Sequence, residues 1–211
     1  MPTSTRNSPA RSHPSPGGSS PGQRPYVKKR RAAQEAATRQ RIVDAAVDLH
    51  RSIGPAQTSL SRVAKQAGVQ RHTLYAHFPD EWSLLLACSA EALARSPLPD
   101  PEPWRRIEPA AERLRTGLAA VWDWYARNAD LAACVLRDAE SHAPTREIVA
   151  LRLGPTMAAC AAVLGEPLSP AERPMLALAL SHFTWRTLVR DTGTPPDAAV
   201  EAMVRAIRAQ A

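Results

Sequence analysis

The sequence predicts an all-α fold with no β-strand. Of the 211 residues, 44% are hydrophobic but only 5% are aromatic, so Ala, Leu and Val must build the core. Ala and Leu are strong helix formers, and runs of β-branched residues are scarce. Apolar residues recur three and four positions apart through much of the chain, as on the buried face of a helix. We expect about nine helices, divided between an N-terminal and a C-terminal domain.

The N-terminal segment differs in composition from the rest of the chain. Residues 1 to about 25 are mainly Ser, Pro, Gly and Arg, a composition typical of disorder. Residues 1–41 carry nine Lys or Arg and one acid, a net charge of +8, whereas the remaining residues sum to −1. We therefore predict a disordered basic arm over residues 1–36, although the alanine-rich stretch 32–37 could extend the first helix backwards.

Start and stop signals predict four helices between residues 37 and 96, spanning about residues 38–52, 59–67, 70–77 and 80–95. Gly54-Pro55 ends the first, Ser59 is a good N-cap residue for the second, and Gly68 stops it. Four prolines between residues 97 and 103 form a stiff hinge. We place the domain boundary there, which gives domains of residues 37–96 and 97–211.

Longer helical patterns follow the hinge, over about residues 105–127, 129–140 and 145–164, and two further helices start near residues 169 and 196. Ser169-Pro-Ala-Glu172 has the form of a capping box with proline at the first helical position. Thr194-Pro-Pro-Asp197 is a similar start for the last helix, which runs almost to the C-terminus.

Residues 59–78 are the most informative segment. An apolar stripe breaks at Gly68 and a second, shorter stripe follows at Leu74 and Phe78, which is the pattern of a helix-turn-helix. The second helix carries five polar side chains without an obvious core role: Arg71, His72, Thr73, Tyr75 and His77. Because these side chains can bond base edges or phosphates, the segment predicts a helix that binds DNA.

Several motifs in order resemble one known family over residues 38–87. They are Thr38–Ala46, Gly54, Ser59–Ala64, Ala67–Val69 and Thr73–Phe78. Together they are similar to the N-terminal domain of tetracycline-repressor-type (TetR) transcriptional regulators. The resemblance implies a homodimer whose three-helix heads bind a near-palindromic operator in double-stranded DNA. It also implies a C-terminal helical domain with a small-molecule pocket and a dimer interface made by the last two helices. Ligand binding would move the heads apart and release the DNA.

Residue chemistry suggests roles for the second helix of the motif. Arg71 and His72 would face base edges, since Arg can bond guanine bidentately. Thr73 and Tyr75 would bond phosphates or touch thymine methyl groups, and His77 would reach a phosphate. A solvated polar helix face is the simpler alternative, which the flanking motifs make less attractive.

Three further groups are candidate phosphate contacts. They are Ser59, Ser61 and Arg62 at the start of the second helix, Arg39 and Arg41 on the side that the resemblance turns toward DNA, and Lys28, Lys29, Arg30 and Arg31 in the arm. A plain surface charge explains Arg62 equally well, and a solubilising tail is the alternative for the arm.

Two positions depart from the family pattern. Family members usually carry Ser or Thr at the position of Gln70, so the DNA-binding helix loses its ordinary N-cap, and Gln70 itself joins the DNA-binding candidates. They also usually carry Lys at the position of Glu81, where it contacts a phosphate. An acid suits a helix N-terminus but repels a nearby phosphate, so we expect the basic arm to compensate.

Side chains of the C-terminal domain supply a candidate effector pocket. The candidate ligand-binding set is Trp122, Tyr125, Met157, Met175, Phe183 and Arg186. Core packing is the simpler explanation for any one of the aromatic side chains. The apolar positions Leu176, Leu180, Phe183, Val200, Met203, Val204 and Ile207 fit either a dimer face formed by the last two helices or the core.

Other function classes lack support in the sequence. Motifs of hydrolases, phosphate-binding loops, dinucleotide-binding folds and zinc proteases are missing, so we expect no enzyme and no cofactor. His142 and His182 have no neighbours at metal-ligand spacing, so we expect no metal. The three separated cysteines, Cys88, Cys134 and Cys160, fit buried small apolar residues in a reducing compartment, and a redox-sensing thiol is the less favoured alternative.

The sequence contains neither a stretch of eighteen apolar residues nor an apolar secretory segment, so we expect a cytoplasmic protein without a membrane span. The combined expectation is a dimeric, ligand-relieved repressor. An architectural or ligand-independent DNA-binding dimer without an effector site is the alternative.

Overall fold

The computed structural model describes residues 23–210, and every regular element of this part is helical. The α-helices are α1 (Gln23–Ser52), α2 (Leu60–Gln66), α3 (Arg71–His77), α4 (Glu81–Arg95), α5 (Ala110–Arg127), α6 (Ala129–Ala139), α7 (Ala143–Arg152), α8 (Gly154–Gly165), α9 (Arg173–Ala179), α10 (His182–Trp185) and α11 (Pro196–Arg208). Short 3₁₀ helices cover Pro55–Gln57 and Glu102–Arg106, and a π-helical segment covers Arg186–Asp191. The predicted all-α class is confirmed, with eleven α-helices in the described part rather than about nine.

The predicted helix starts at Ser59 and Asp80 are confirmed by their hydrogen bonds. Ser59 Oγ accepts from the backbone N–H of Arg62 at 3.3 Å. Asp80 Oδ1 accepts from the backbone N–H of Ser83 at 2.7 Å, and Ser83 Oγ lies 3.4 Å from the backbone N of Asp80, which completes a capping box.

The first helix begins much earlier than predicted. α1 starts at Gln23, so the prediction of a disordered arm is wrong for residues 23–36. Ala, Lys, Arg, Gln and Glu dominate this stretch, and all of them favour helix. Arg31 and Glu35 also form an ion pair of 3.1 Å one turn apart. Residues 1–22 of the predicted arm lie outside the described residues.

Two of the predicted long helices are interrupted. The helix predicted over 145–164 is divided into α7 and α8 at Leu153, because Pro155 near the start of α8 has no N–H to donate. The helix predicted from residue 169 begins as α9 at Arg173, and it ends at Ala179 before α10 starts. Within residues 23–210 no single helix is long and apolar enough to cross a membrane, whereas α7 and α8 pass that test only as a pair bent by 49°.

Two clusters of buried apolar side chains hold the helices together. The head core contains residues from α1 to α4, such as Ile42, Val63, Leu74 and Phe78, and one residue of α7, Ile148. The body core is formed by α5, α8, α9, α10 and α11, with Trp104 and Leu168 from the connecting segments. From Arg39 onward the chain forms a compact unit, so the head is joined to the body by packing as well as by chain connectivity.

Candidate nucleic-acid interface and effector cavity

The turn between α2 and α3 has the geometry expected of a helix-turn-helix. Val63 and Ala64 are the buried residues of α2, and Leu74 is the buried residue of α3. Gly68 lies between them with φ of +64°, a left-handed conformation that favours glycine. The backbone N–H of Val69 donates to the carbonyl of Ala64 at 3.0 Å and closes the turn.

The predicted DNA-binding side chains of α3 lie on its outer side. Arg71, His72 and Tyr75 are exposed, and Tyr75 keeps 42% of its surface in contact with solvent. Thr73 and His77 are half-buried at the edges of this surface. Leu74 and the following Phe78, both almost fully buried, fix the orientation of the helix. The exposed row can therefore contact bases or phosphates without disturbing the head core.

The remaining phosphate candidates of the head are exposed around this helix. Ser59 and Ser61 face solvent at the start of α2, although the Ser59 hydroxyl oxygen is already used as a cap. Arg62 is exposed and its Nη1 lies 3.5 Å from the carbonyl oxygen of Gln57. Gln70 is exposed at the N-cap of α3 and makes no side-chain capping bond, as its replacement of Ser or Thr predicts.

Arg39 is held by an aromatic contact that the sequence did not predict. Its guanidinium carbon lies 4.9 Å from the centre of the Phe78 ring, within cation–π distance. Arg39 and Arg41 are both exposed on α1. The ring that anchors α3 in the core thus also positions a cation near the proposed DNA surface.

Glu81 lies beside a histidine of the body. Its Oε1 lies 3.5 Å from Nε2 of His142, at the connection between α6 and α7. The other ring nitrogen of His142 lies 2.8 Å from the hydroxyl of Thr145. The departure at Glu81 therefore links the start of α4 to the body.

Basic side chains follow one another along the N-terminal part of α1. Lys28, Lys29, Arg30 and Arg31 are all exposed, and Arg31 pairs with Glu35. Arg6 and Arg11 of the basic segment lie outside the described residues. Because Arg31 is paired with Glu35, the simplest candidates for phosphate contacts on this part of α1 are Lys28, Lys29 and Arg30.

We predict that replacing Lys28, Lys29 and Arg30 together by glutamine weakens the salt dependence of DNA binding. If all three neutralise phosphates, the slope of log K against log salt decreases by about 2.7, at about 0.9 per contact. Fluorescence anisotropy with a labelled duplex over a series of salt concentrations measures this slope. A control with Arg127→Gln and Arg205→Gln in the body should keep the wild-type slope, and an unchanged slope in the triple variant would exclude the arm from the interface.

The turn between α1 and α2 is tied to α6 by several contacts. The buried carboxylate of Asp138 accepts from the backbone N–H of Ala56 at 2.9 Å. Nη2 of Arg137 donates to the carbonyl of Ile53 at 3.2 Å. Gly54 lies against Asp138 so closely that a Cβ atom there would overlap the carboxylate. No sequence motif pointed to Asp138, because its partner is a backbone group 82 positions away.

An apolar cavity of about 90 Å³ lies between α4, α6 and α7. Leu85, Ala92, Trp124, Ala132, Ile148 and Val149 are among the residues that line it. Arg152 reaches from α7 to α4, where its Nε lies 3.3 Å from the hydroxyl of Ser89 and its Nη2 lies 3.2 Å from the carbonyl of Leu86. The same helix, α4, therefore forms a wall of the cavity and contributes side chains to the head core.

Two titratable side chains in the wall of the cavity are uncharged at neutral pH. Nδ1 of His50 lies 3.5 Å from Sγ of Cys88. Burial lowers the pKa of His50 to about 4, against the opposing effect of Asp138. Burial also raises the pKa of the Cys88 thiol to about 12. His50 lies four residues after Ala46 on the apolar face of α1, a position from which its burial could have been predicted.

The ligand-binding residues predicted from sequence do not line this cavity. Trp122 and Tyr125 belong to the body core, where Nε1 of Trp122 donates to the carbonyl of Ala179 at 2.9 Å and the Tyr125 hydroxyl donates to that of Leu180 at 2.8 Å. They satisfy carbonyls that the end of α9 leaves free. Met157 and Met175 are half-buried against the same core, while Phe183 and Arg186 are exposed.

The predicted dimer residues are also mostly internal. Phe183 is 45% exposed, whereas the other six, Leu176, Leu180, Val200, Met203, Val204 and Ile207, are buried in the body core of a single chain. Of the two interpretations that the sequence allowed for these six, the structure favours core packing.

Comparisons with known proteins agree with this architecture. The family model for bacterial regulatory proteins of the tetR family matches residues 42–88. Two relatives from Pseudomonas putida, the HTH-type transcriptional regulator SrpR and the uncharacterized HTH-type transcriptional regulator TtgW, are each 37% identical over 62 residues, or 29% of this chain. The chain spans only 29% of the length of SrpR and 46% of that of TtgW in these matches.

Solved structures extend the likeness in fold to most of the chain. The transcriptional regulator FadR from Bacillus subtilis, in complex with stearoyl-CoA, has a TM-score of 0.55 at 21% identity and covers 80% of this chain and 96% of its own. NalD, the secondary repressor of the MexAB-OprM multidrug efflux pump in Pseudomonas aeruginosa, has a TM-score of 0.54 at 22% identity, with coverage of 83% and 97%. The helix-turn-helix segment of this chain, residues 42–88, is therefore similar in sequence to that of the tetR family of bacterial regulatory proteins.

Proposed function

We propose that this chain is a cytoplasmic transcriptional repressor that binds a near-palindromic operator as a homodimer and releases it when a small molecule occupies the cavity beside α4. One observation carries the DNA-binding part. Arg71, His72 and Tyr75 are exposed on α3 within the segment that matches the family model, while Leu74 anchors the helix. The description of SrpR as a transcriptional regulator and of NalD as a repressor supports the same assignment.

Alanine at Arg71 is expected to weaken operator binding by removing a bidentate contact to a base. Such a contact contributes about 1–3 kcal/mol, so the affinity should fall roughly 5- to 150-fold. Anisotropy titrations on the promoter region next to the gene, with a scrambled duplex for comparison, measure both specific and non-specific binding.

Arg205→Ala, an exposed arginine on α11, is the matched control and should bind as the wild type does. A drop of equal size on the operator and on the scrambled duplex would contradict base recognition by Arg71 and leave only a phosphate contact.

The cavity supports the ligand-release part of the proposal. Its volume of about 90 Å³ is smaller than the roughly 150 Å³ of an engineered apolar cavity that accepts benzene. A ligand larger than the cavity must therefore push one of its walls outward. Because α4 forms one wall and also contributes side chains to the head core, such a movement would reach the head. FadR, which shares the fold, binds stearoyl-CoA, a precedent for ligand binding on this architecture.

We expect benzene or toluene, used as probes of the cavity, to raise the melting temperature of the protein and to weaken operator binding. Ala132→Leu fills part of the cavity from α6, so this variant should bind the operator normally but respond less to the probes. Thermal unfolding and anisotropy with and without probe measure the two effects. No response of the wild type to either probe would favour the ligand-independent alternative.

We place the dimer contact on the outer side of α9 and α10. Leu178 and Phe183 are 52% and 45% exposed there, and apolar side chains of this size are common in interfaces between subunits. This location agrees with an interface made by the last helices, although the residues that form it differ from most of those predicted.

A further inference from the structure

A second recess, separate from the effector cavity, lies between the start of α6 and the helical segment from His182 to Asp191. This polar cleft has a volume of about 310 Å³ and shares no lining residue with the apolar cavity. Its polar and aromatic lining residues are Asp130, Arg137, His182, Trp185, Arg186, Arg190 and Asp191. Arg186 is the one residue of the predicted ligand-binding set that lines it.

His182 is a buried polar group without a hydrogen-bond partner. Only 4% of its surface is exposed, and neither ring nitrogen has a partner among the described residues. The rings of Tyr125 and Trp185 lie 5.2 and 5.3 Å from it and offer apolar contact only. Native proteins rarely leave buried polar groups without a hydrogen-bond partner. Such a group loses its hydrogen bonds with water on folding, and the loss costs free energy unless another partner replaces the water.

The imidazole of His182 can both donate and accept a hydrogen bond at neutral pH. Burial lowers its pKa to about 4, and the positive charges of Arg186 and Arg190 act in the same direction. At neutral pH the imidazole is therefore uncharged, with one N–H donor and one nitrogen acceptor.

Of the three arginines that line the cleft, Arg137 is paired with Asp138 at 2.8 Å, whereas Arg186 and Arg190 retain free hydrogen-bonding capacity. Nε of Arg186 lies 3.7 Å from Asp191 Oδ1, and Nη1 of Arg190 lies 3.7 Å from Asp130 Oδ1, both beyond hydrogen-bond distance. Both side chains are about half exposed. They project from the π-helical segment Arg186–Asp191, a rare conformation that is frequent at functional sites.

We propose that this cleft is a second ligand site that takes a small organic anion, whose carboxylate or phosphate group is bound by Arg186 and Arg190 while a polar atom of the ligand hydrogen-bonds to His182. Guanidinium groups match the planar oxygens of such anions and can bind them bidentately. Asp130 and Asp191 are close enough to keep the arginines oriented until an anion replaces them. The proposal depends neither on α3 nor on the apolar cavity.

Calorimetric titration and thermal unfolding of the full chain test the site. Benzoate and phenyl phosphate are the probes, inorganic phosphate tests the bare anion, and benzyl alcohol provides an uncharged ring. NaCl is added so that all probe solutions have the same ionic strength. We expect one or both aromatic anions to bind and stabilise the protein through Arg186 and Arg190, whereas any response to benzyl alcohol should be unchanged when these two arginines are replaced. The comparison of the two anions separates a carboxylate from a phosphate ligand.

Variants identify the residues responsible. Arg186→Gln with Arg190→Gln should lower the affinity for the anion by about tenfold or more, and His182→Phe, which keeps an aromatic ring in the core, should lower it too. Arg127→Gln, an exposed arginine paired with Asp123 elsewhere in the body, should bind as the wild type does. Side-chain nitrogen NMR should show a shift of the His182 ring resonances on binding.

Three results would overturn the inference. They are the lack of any response beyond that to NaCl, an equal response in the double arginine variant, and dissociation of a dimer by that variant, which would make the arginines part of an interface between copies. Operator binding measured on the same samples keeps this test distinct from that of the proposed function, since failure here leaves DNA binding by α3 unaffected.

Discussion

Alanine at position 54 is expected to be among the most destabilising single substitutions in the head. Gly54 has φ of +91°, where a side chain adds about 1–2 kcal/mol of backbone strain. Its Cβ would also overlap the Asp138 carboxylate and displace it from the N–H of Ala56. The buried carboxylate would then lose one of its hydrogen bonds, which costs about 1–3 kcal/mol. The free energy of unfolding should therefore fall by roughly 2–5 kcal/mol.

Gly193→Ala is the matched control for this substitution. Gly193 has φ of +69°, but a Cβ there would have no atom within 4 Å, so only the backbone strain applies. Urea unfolding of both variants measures the difference, which isolates the contact between Gly54 and Asp138. In an Asp138→Ala background, Gly54→Ala should lose the part of its effect that arises from overlap. Equal effects of Gly54→Ala and Gly193→Ala would show that the contact contributes nothing.

Local signals were enough to predict the head. Ser59, Gly68 and Asp80 fix the ends of helices through contacts within a few residues of themselves, so their roles follow from sequence spacing alone. Likewise, the alternation of buried and exposed residues on α3 follows from helical periodicity. The outward position of Arg71 and His72 could therefore be predicted before any tertiary structure was considered.

Contacts between distant parts of the chain could not be predicted in this way. At the end of α9 the carbonyls of Ala179 and Leu180 accept from Trp122 and Tyr125 on α5. These contacts satisfy backbone groups at an interruption that helix propensity does not indicate. The apolar cavity is likewise formed by α4, α6 and α7, whose facing residues are far apart in sequence. Pro155 is different, because it breaks the predicted helix locally and its effect could have been predicted from the sequence.

The role of Trp122 can be decided by its effect on stability. Trp122 is 2% exposed and donates to the carbonyl of Ala179, so alanine would leave a cavity and an unpaired acceptor. Replacement of a buried tryptophan by alanine costs about 3–5 kcal/mol, and for a chain of this size the melting temperature should fall by roughly 6–20 °C. Thermal unfolding without ligand, at a fixed protomer concentration, measures this change.

Phe183→Ala separates the two interpretations of the predicted ligand-binding set. Phe183 belongs to that set with Trp122, but it is 45% exposed, so alanine there should change the free energy of unfolding of the single chain by no more than about 0.5 kcal/mol. A larger change that depends on protomer concentration would reflect the dimer contact proposed at Phe183. A ligand-lining Trp122 would behave like Phe183 in the absence of ligand, because its ring would contact an empty space. A small effect of Trp122→Ala would therefore contradict its assignment to the body core. A large effect would identify it as the residue that joins α5 to the end of α9, and the search for effector contacts would then concentrate on the walls formed by α4, α6 and α7.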